Sequence, residues 1–273
     1  FTPPLRPRWK DMKRWIPFLK SDPTVAVIRL QGAIASSGRA LNDRGLAASI
    51  EKAFHSKPKA VALEISSPGG SPVQSSLIAS RIRRLADERD IPVYAFVEDV
   101  AASGGYWLAT AADEIYIDAG SIIGSIGVIS SGFGLTGTLE KVGAERRVYT
   151  AGTSKSMLDP FQKEKPADVK RLKGLLDDIH ILFKDHVAAR RTGKLADQDL
   201  FTGEIWVGQK SIDVGLADQI GHLVPTMKNL FGDKVKFRRF GQKKPFLSRF
   251  GAQIIDDTVA SIEERAAYAR FGL

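Results

Sequence analysis

Short apolar runs alternate with stretches of helical spacing through the first half of this chain. Residues 42–54 and about 73–88 place apolar side chains three and four positions apart, as an amphipathic helix does. The runs between them are rich in Val, Ile, Leu and Ala and predict buried strands at 24–30, 61–65, 92–97 and 114–118. Because strands that alternate with helices are typical of parallel βαβ crossovers, the pattern predicts an α/β fold.

The second half is dominated by two long predicted helices. Residues 167–191 carry a stripe of Leu, Ile, Val and Phe on one face, and 250–271 carry a second stripe. Packing against the core or against another subunit explains such stripes better than ligand binding does. The chain therefore divides into a basic N-terminal arm (1–23), a central domain (24–240) and a C-terminal amphipathic helix (241–273).

Two strand-to-helix junctions are rich in small residues. The first, 66–71, reads Ser-Ser-Pro-Gly-Gly-Ser, and the second places Ser103 between Ala-Ala and Gly-Gly. Small residues let the backbone turn sharply and let a substrate approach, so a serine hydroxyl can be presented at the start of a helix. A serine that faces backbone N–H donors is the framework of a serine hydrolase.

The stretch 120–129 spaces apolar residues with glycine, and 147–150 predicts a further short strand. Glycine within a strand pattern marks the close approach of another backbone. Residues 120–129 could therefore form a wall along which an extended peptide pairs. A glycine-rich turn between core strands explains the same spacing, and the spacing alone slightly favours that turn.

A serine nucleophile needs a base that takes its proton. The four histidines, His55, His180, His186 and His222, lie outside any glycine-rich context, so the sequence supports a Ser-His-Asp triad only weakly. A lysine can serve where desolvation lowers its pKa by several units. Lys155 is the candidate, because it lies between two serines and apolar residues follow it. Composition alone favours an ordinary surface lysine at this position.

Composition narrows the classes of protein. The absence of cysteine excludes disulfides, a thiolate zinc site and a cysteine nucleophile, and no apolar run is long enough to predict a membrane span. Part of the net charge of +9 lies in the first twenty residues, mixed with aromatic residues. This arm fits an anionic lipid surface and a solvated segment equally well. The other basic clusters are scattered, so we expect no nucleic-acid partner. A start at Phe1 fits removal of a preceding segment such as an anchor.

Three segments, taken together and in order, resemble the signal peptide peptidase A family of serine proteases, which are relatives of the ClpP/crotonase fold. They are 65–71, 99–107 and 152–161. With similar stretches at 124–128 and 201–221, the likeness extends over about residues 24–222. The resemblance implies an α/β fold of the ClpP/crotonase type, with repeated ββα units and long C-terminal helices.

The resemblance also implies roles for individual residues. Ser103 matches the family's nucleophile, Lys155 matches its general base, and Ser125 matches a serine that orients the lysine amine. The backbone N–H groups of Gly70 and, as a second candidate, Gly104 match the oxyanion hole.

The implied substrate groove consists of Gly69 and a strand formed by Ile126, Gly127, Val128 and Ile129. The implied activity is cleavage of apolar peptides such as remnant signal peptides, without metal or cofactor. The resemblance further implies a bacterial protein, membrane-associated or cytoplasmic, that forms a homo-oligomer in which neighbouring subunits could supply Ser103 and Lys155.

Two other functions remain open on the sequence. A crotonase-like acyl-CoA hydratase or isomerase also uses two backbone N–H groups, but it needs carboxylates that reach the thioester, and no such pair is evident near Ser103. A membrane-associated scaffold with a decayed site would have no need for Ser103, Lys155 and Gly70 together.

Overall fold

The computed structural model describes residues 22–36, 40–152, 154–241 and 265–273 of the chain. These residues contain one eight-stranded sheet in the order β6-β5-β3-β2-β1-β8, with β4 paired to β3 and β7 paired to β4. All neighbouring strands are parallel except β5 and β6. The strands are β1 (Thr24–Gln31), β2 (Ala60–Ser67), β3 (Val93–Ala102), β4 (Glu114–Ile117), β5 (Ile122–Gly124), β6 (Ile205–Val207), β7 (Gln219–Ile220) and β8 (Lys236–Phe240).

Helices follow each of the three central strands, which confirms the predicted α/β alternation. They are α1 (Asp43–His55), α2 (Pro72–Arg89), α3 (Gly104–Ala109), α4 (Thr136–Lys141), α5 (Pro166–Arg190), α6 (Gln209–Asp213) and α7 (Leu223–Phe231). Residues 265–269 add a further helical turn. Within the described ranges, no helix combines the length and the apolar composition that crossing a bilayer requires.

The central strands are covered on both faces, as parallel sheets require. All eight residues of β2 are buried. Side chains of β1 alternate between two apolar clusters, with Ala26 and Ile28 packing towards helices α1, α2 and α3. Val25 and Val27 face the other way, towards α7.

Capping side chains determine where two of the helices begin. Asn42 accepts a hydrogen bond from the Gly45 N–H at 2.8 Å at the start of α1. Ser71 accepts one from the Gln74 N–H at 3.4 Å, and Pro72 occupies the first turn of α2. Since α2 begins directly after residues 68–70, this cap also fixes the end of the first small-residue junction.

Helix α5 confirms the long predicted helix, but its apolar stripe is only partly covered. Phe183 and Val187 are its buried residues, whereas Leu175, Ile181 and Leu182 are exposed. The stripe was expected to pack against the core or against another subunit. Packing against the core of the same chain accounts for only the C-terminal end of the helix.

Two predicted strands are wrong. Residues 147–150 form no strand and Tyr149 is 91% exposed, because no described strand lies beside them to satisfy their backbone groups. Residues 126–129 are not a strand either. Strand β5 ends at Gly124, and the chain turns there because Gly124 and Ser125 have φ of +104° and +51°.

Other boundaries differ from the patterns as well. Strand β3 continues to Ala102, because Val100–Ala102 pairs with β5. The sequence patterns did not predict β8 or α7. Most of the basic arm and residues 250–264 of the terminal helix lie outside the described residues.

Candidate active site

Ser103 lies between the end of β3 and the start of α3. Its backbone has φ +52° and ψ −121°, a region that L-residues rarely adopt. The Ser103 N–H donates to the Gly124 carbonyl at 2.8 Å, and its own carbonyl accepts from the Trp107 N–H at 3.0 Å. Both sides of the serine are therefore held, and the sharp turn presents its side chain at the carboxyl ends of the parallel strands.

The first small-residue junction packs directly against this turn. A Cβ on Gly69 would lie 2.9 Å from the Cβ of Ser103 and 2.8 Å from the Gly104 nitrogen. A Cβ on Gly70 would collide with the Ile34 carbonyl, at a backbone φ of +141°. A Cβ on Gly104 would collide with the Ser75 hydroxyl and lie 3.3 Å from the Gly70 nitrogen. The amides of Gly70 and Gly104 thus flank one small volume beside Ser103, and side chains at these glycines would close it.

A cleft of about 430 Å³ opens in front of Ser103. Its walls bring together residues that the sequence analysis singled out with apolar residues that it did not. The first group consists of Gly70, Ser103, Gly104, Ser125, Gly127, Val128 and Ile129. The second includes Trp107 from α3 and Leu176, Ile179 and Phe183 from α5.

Ser125 and Ile126 take different positions in the wall. Ser125 faces the cleft with φ +51°, and its N–H donates to the Glu204 carbonyl at 2.6 Å. Ile126 is buried in the core, and its carbonyl accepts from Nε2 of His180 at 3.1 Å. Of the predicted groove residues, Gly127, Val128 and Ile129 therefore line the cleft, while Ile126 is buried behind this wall. Gly69 does not line the cleft, because it is buried against the turn at Ser103.

Lys155 is not brought to Ser103 within this chain. It is exposed in the turn formed by residues 154–158 and does not line the cleft. The surrounding region is loosely packed, since no described residue from Gly127 to Leu182 is buried. One chain therefore brings together the predicted nucleophile and the surrounding amides, while the predicted base lies on an exposed segment.

The histidines are engaged away from Ser103. None lines the cleft, and all four lie within the described ranges. Their contacts are His55 with the Glu51 carbonyl, His180 with the Ile126 carbonyl, His186 with the Thr110 hydroxyl and His222 with the Asp118 carboxylate. Burial lowers the pKa of His186 to about 4, so this imidazole is neutral at pH 7. The weak support for a Ser-His-Asp triad is consistent with these positions.

An aromatic stack behind the cleft was not predicted. The Trp107 ring stacks on Phe183 at 4.8 Å and on His186 at 4.9 Å between centroids. Phe183 and His186 are three positions apart on α5, a spacing that could have indicated a shared partner. The stack fixes α5 against α3 and therefore sets the apolar wall of the cleft.

A buried ion pair supports α3 from below. The Arg191 guanidinium donates to the Gly215 carbonyl and to Asp218 at 2.8 Å, and Tyr106 donates to the Leu216 carbonyl at 2.8 Å. Burial alone would raise the pKa of Asp218, but hydrogen bonds from Arg191 and Lys194 hold that pKa below its usual value. Asp218 is therefore ionised, and its ion pair with Arg191 supports the helix that follows Ser103.

These features define a ClpP/crotonase-like fold with a serine on a strained strand-to-helix turn. A mutant of a membrane-bound stomatin-specific protease, 1510-N, has the same fold, with a TM-score of 0.52 at 17% identity over 81% of this chain and 98% of that one.

The family follows from the sequence comparisons. The model of peptidase family S49 matches residues 86–234, more than half of the 273 residues, and the chain belongs to that family. A provisionally named protease of Synechocystis sp. is 33% identical over 232 residues, covering 82% of each chain. The chloroplastic serine protease SPPA of Arabidopsis thaliana is 31% identical over 201 residues, covering 72% of this chain and 29% of that protein.

A longer relative carries a different name. A Brucella melitensis protein named Na(+)/H(+) antiporter NhaA is 45% identical over 286 residues, covering 96% of this chain. This chain spans only 39% of that protein, so most of the Brucella protein has no counterpart here.

Proposed function

We propose that this chain is a serine endopeptidase in which Ser103 is the nucleophile and Lys155 is the general base. The observation that carries the proposal is the position of Ser103, on a strained turn in a cleft whose rim includes the amides of Gly70 and Gly104. Membership in peptidase family S49 and relatives named as proteases support the same reaction.

The reaction is an acyl transfer in two halves. Neutral Lys155 takes the proton of Ser103, and the serine oxygen attacks the peptide carbonyl carbon. Lys155 then gives that proton to the departing amine, and the acyl group stays on Ser103. Water, deprotonated in turn by Lys155, attacks the acyl-enzyme, and Ser103 leaves with a proton as the acid product is released.

Backbone amides stabilise the oxyanion in each half. Gly104 is the first residue of α3, so its N–H has no acceptor within the helix and the positive end of the helix points towards the cleft. Gly70 supplies the second N–H, and Gly69 keeps the Gly104 nitrogen uncovered. Such a donor is typically worth about 3 kcal/mol in the transition state.

The location of Lys155 is explained if copies of this chain assemble. The region from Gly127 to Leu182, which contains Lys155, buries none of its described residues, and Phe133 is 84% exposed. A neighbouring copy that covers this region could place a lysine beside Ser103 and remove it from water, which lowers its pKa. Ser125, already in the cleft, would accept a hydrogen bond from the ammonium or donate one to the neutral amine.

Apolar peptides are the substrates that the cleft favours. Trp107, Phe183 and Ile179 form one wall and Val128 and Ile129 form another, so aliphatic side chains beside the scissile bond gain burial. Remnant signal peptides have this character. The described residues that line the cleft include no carboxylate, which disfavours an acyl-CoA hydratase.

Two variants test whether Ser103 and Lys155 are both needed for activity. Ser103→Ala and Lys155→Ala should each lose serine labelling by a fluorophosphonate and peptide cleavage, as read by intact mass and a fluorogenic apolar peptide. Lys163→Ala, an exposed lysine of the same segment, is the matched control and should keep both.

Mixing then separates a dyad within one chain from a dyad between chains. If Lys155 acts on the Ser103 of a neighbour, equal amounts of the two inactive variants, co-refolded, should recover part of the activity. Full activity in Lys155→Ala would contradict the proposed base. Labelling that survives in Ser103→Ala would contradict the nucleophile.

A further inference from the structure

Residues 265–273 contact the Ser103 cleft from outside the central domain. The Tyr268 hydroxyl donates to the Ser66 carbonyl at 2.7 Å, on β2 just before residues 68–70. Arg270 and Phe271 line the same cleft as Ser103 and Gly70. The segment is therefore attached at the base of the junction that supplies the Gly70 amide.

The same segment continues past the cleft. Leu273 lines a second cavity of about 540 Å³, together with Glu64, Glu98 and Arg239. Tyr268 thus anchors a short strap, residues 265–273, that runs from the catalytic cleft to a neighbouring cavity along the carboxyl ends of the central strands.

The contacts of this strap are shallow. None of its residues is buried: Arg270 and Leu273 are exposed, while Tyr268 and Phe271 are partly exposed. A segment held by shallow contacts opens at low free-energy cost, in contrast to the strands beneath it.

We propose that residues 265–273 are a displaceable strap that competes with peptide substrates for the Ser103 cleft. A peptide whose carbonyl reaches the amides of Gly70 and Gly104 enters the cleft that Phe271 and Arg270 line, and in this proposal it binds fully only when the strap has moved. The apparent affinity is then reduced by the fraction of molecules with an open cleft. As a form of regulation of proteolysis, this inference rests on the proposed function.

The test removes one anchor atom from the full chain. Tyr268→Phe deletes only the hydroxyl that donates to Ser66, and Tyr94→Phe, a partly buried tyrosine on the other cluster, is the matched control. Both are made in a Ser103→Ala background, and binding of a fluorescein-labelled apolar decapeptide is followed by anisotropy. Hydrogen exchange of residues 265–273 is measured on the same samples.

The strap predicts three coupled results. Residues 265–273 should be protected in the Ser103→Ala parent and lose protection in Tyr268→Phe. The dissociation constant of the decapeptide should fall about three- to tenfold in Tyr268→Phe and stay unchanged in Tyr94→Phe, since freeing a mostly closed cleft removes such a factor. With Ser103 restored, KM should fall by a similar factor at constant kcat.

Two results would contradict the proposal that residues 265–273 compete with peptides for the cleft. Unprotected residues 265–273 in the parent would show that they are not docked. Undocking with unchanged or weaker peptide binding would show that they form a wall of the cleft and do not compete. If no variant cleaves peptide, the proposed function fails, while exchange and binding in the Ser103→Ala background still decide the strap.

Discussion

Two glycine-rich regions of this molecule behave in opposite ways. Around Ser103, side chains on Gly69, Gly70, Gly104 or Gly105 would meet neighbouring atoms at less than 3.0 Å. In the segment that carries Lys155, the glycines 132, 134, 137, 143 and 152 have nothing within 4 Å. The region that carries the proposed nucleophile is thus tightly packed within one chain, whereas the segment that carries the proposed base is open.

The largest expected effect comes from filling the tight region. Gly70→Ala places a Cβ against the Ile34 carbonyl at a φ of +141°, so we expect at least about 3 kcal/mol of destabilisation and loss of fluorophosphonate labelling. Gly134→Ala, in open space and at an ordinary φ, should change the free energy of unfolding by less than about 1 kcal/mol. Urea unfolding of both variants tests the contrast, and equal effects would refute it.

The ion pair beneath α3 gives the next largest effect. Asp218→Asn leaves the buried Arg191 without its counter-charge, and we expect about 2–3 kcal/mol of destabilisation at pH 7. Because folding lowers the pKa of Asp218, its contribution is present above the unfolded pKa of about 3.9 and is lost as the pH falls through the folded pKa. The deficit should therefore shrink below about pH 4.

Unfolding curves at pH 7 and pH 3 measure this difference. Asp233→Asn removes an exposed carboxylate and is the control. It should leave the free energy of unfolding unchanged at both pH 7 and pH 3. A deficit in Asp218→Asn that stays constant over this range would contradict the assigned ionisation.

The substitution with the smallest expected effect on the free energy of unfolding, Leu182→Asp, tests whether copies of the chain assemble through α5. Leu182 is 63% exposed on α5, so Leu182→Asp should change the free energy of unfolding of the isolated chain by less than about 0.5 kcal/mol. If copies pack on this face, sedimentation should show smaller species, and peptide cleavage should fall. Ala188→Asp adds the same charge at another exposed position of the helix and should do neither. Unchanged sedimentation in Leu182→Asp would remove this face from the interface.

The same contrast explains what sequence patterns could predict. Strands such as 61–65 and helices such as 73–88 bury their apolar residues within the chain, so periodicity located them closely. The turn at Ser103 was recognisable because small residues are needed where backbones approach. The strand predicted at 147–150 was wrong, because alternation of apolar and polar residues predicts a strand without showing that a neighbouring strand exists.

Features that depend on distant parts of the chain were missed. β8 pairs with β1 although they are separated by most of the sequence, and the stack of Trp107 on Phe183 joins two helices that periodicity treats independently. The relation between Ser103 and Lys155 came from resemblance, because no local pattern reports which segment faces another.

The parallel pairing of β1 has a consequence for orientation. Thr24 lies opposite Lys236 at the amino end of this pair, whereas Ser103 lies beyond the carboxyl end of β3, which runs in the same direction. Eight extended residues span about 26 Å, so the chain enters the domain at the pole opposite the cleft. A partner attached directly before β1 would therefore lie at the opposite end of the sheet from the cleft and would leave the entrance to the cleft uncovered.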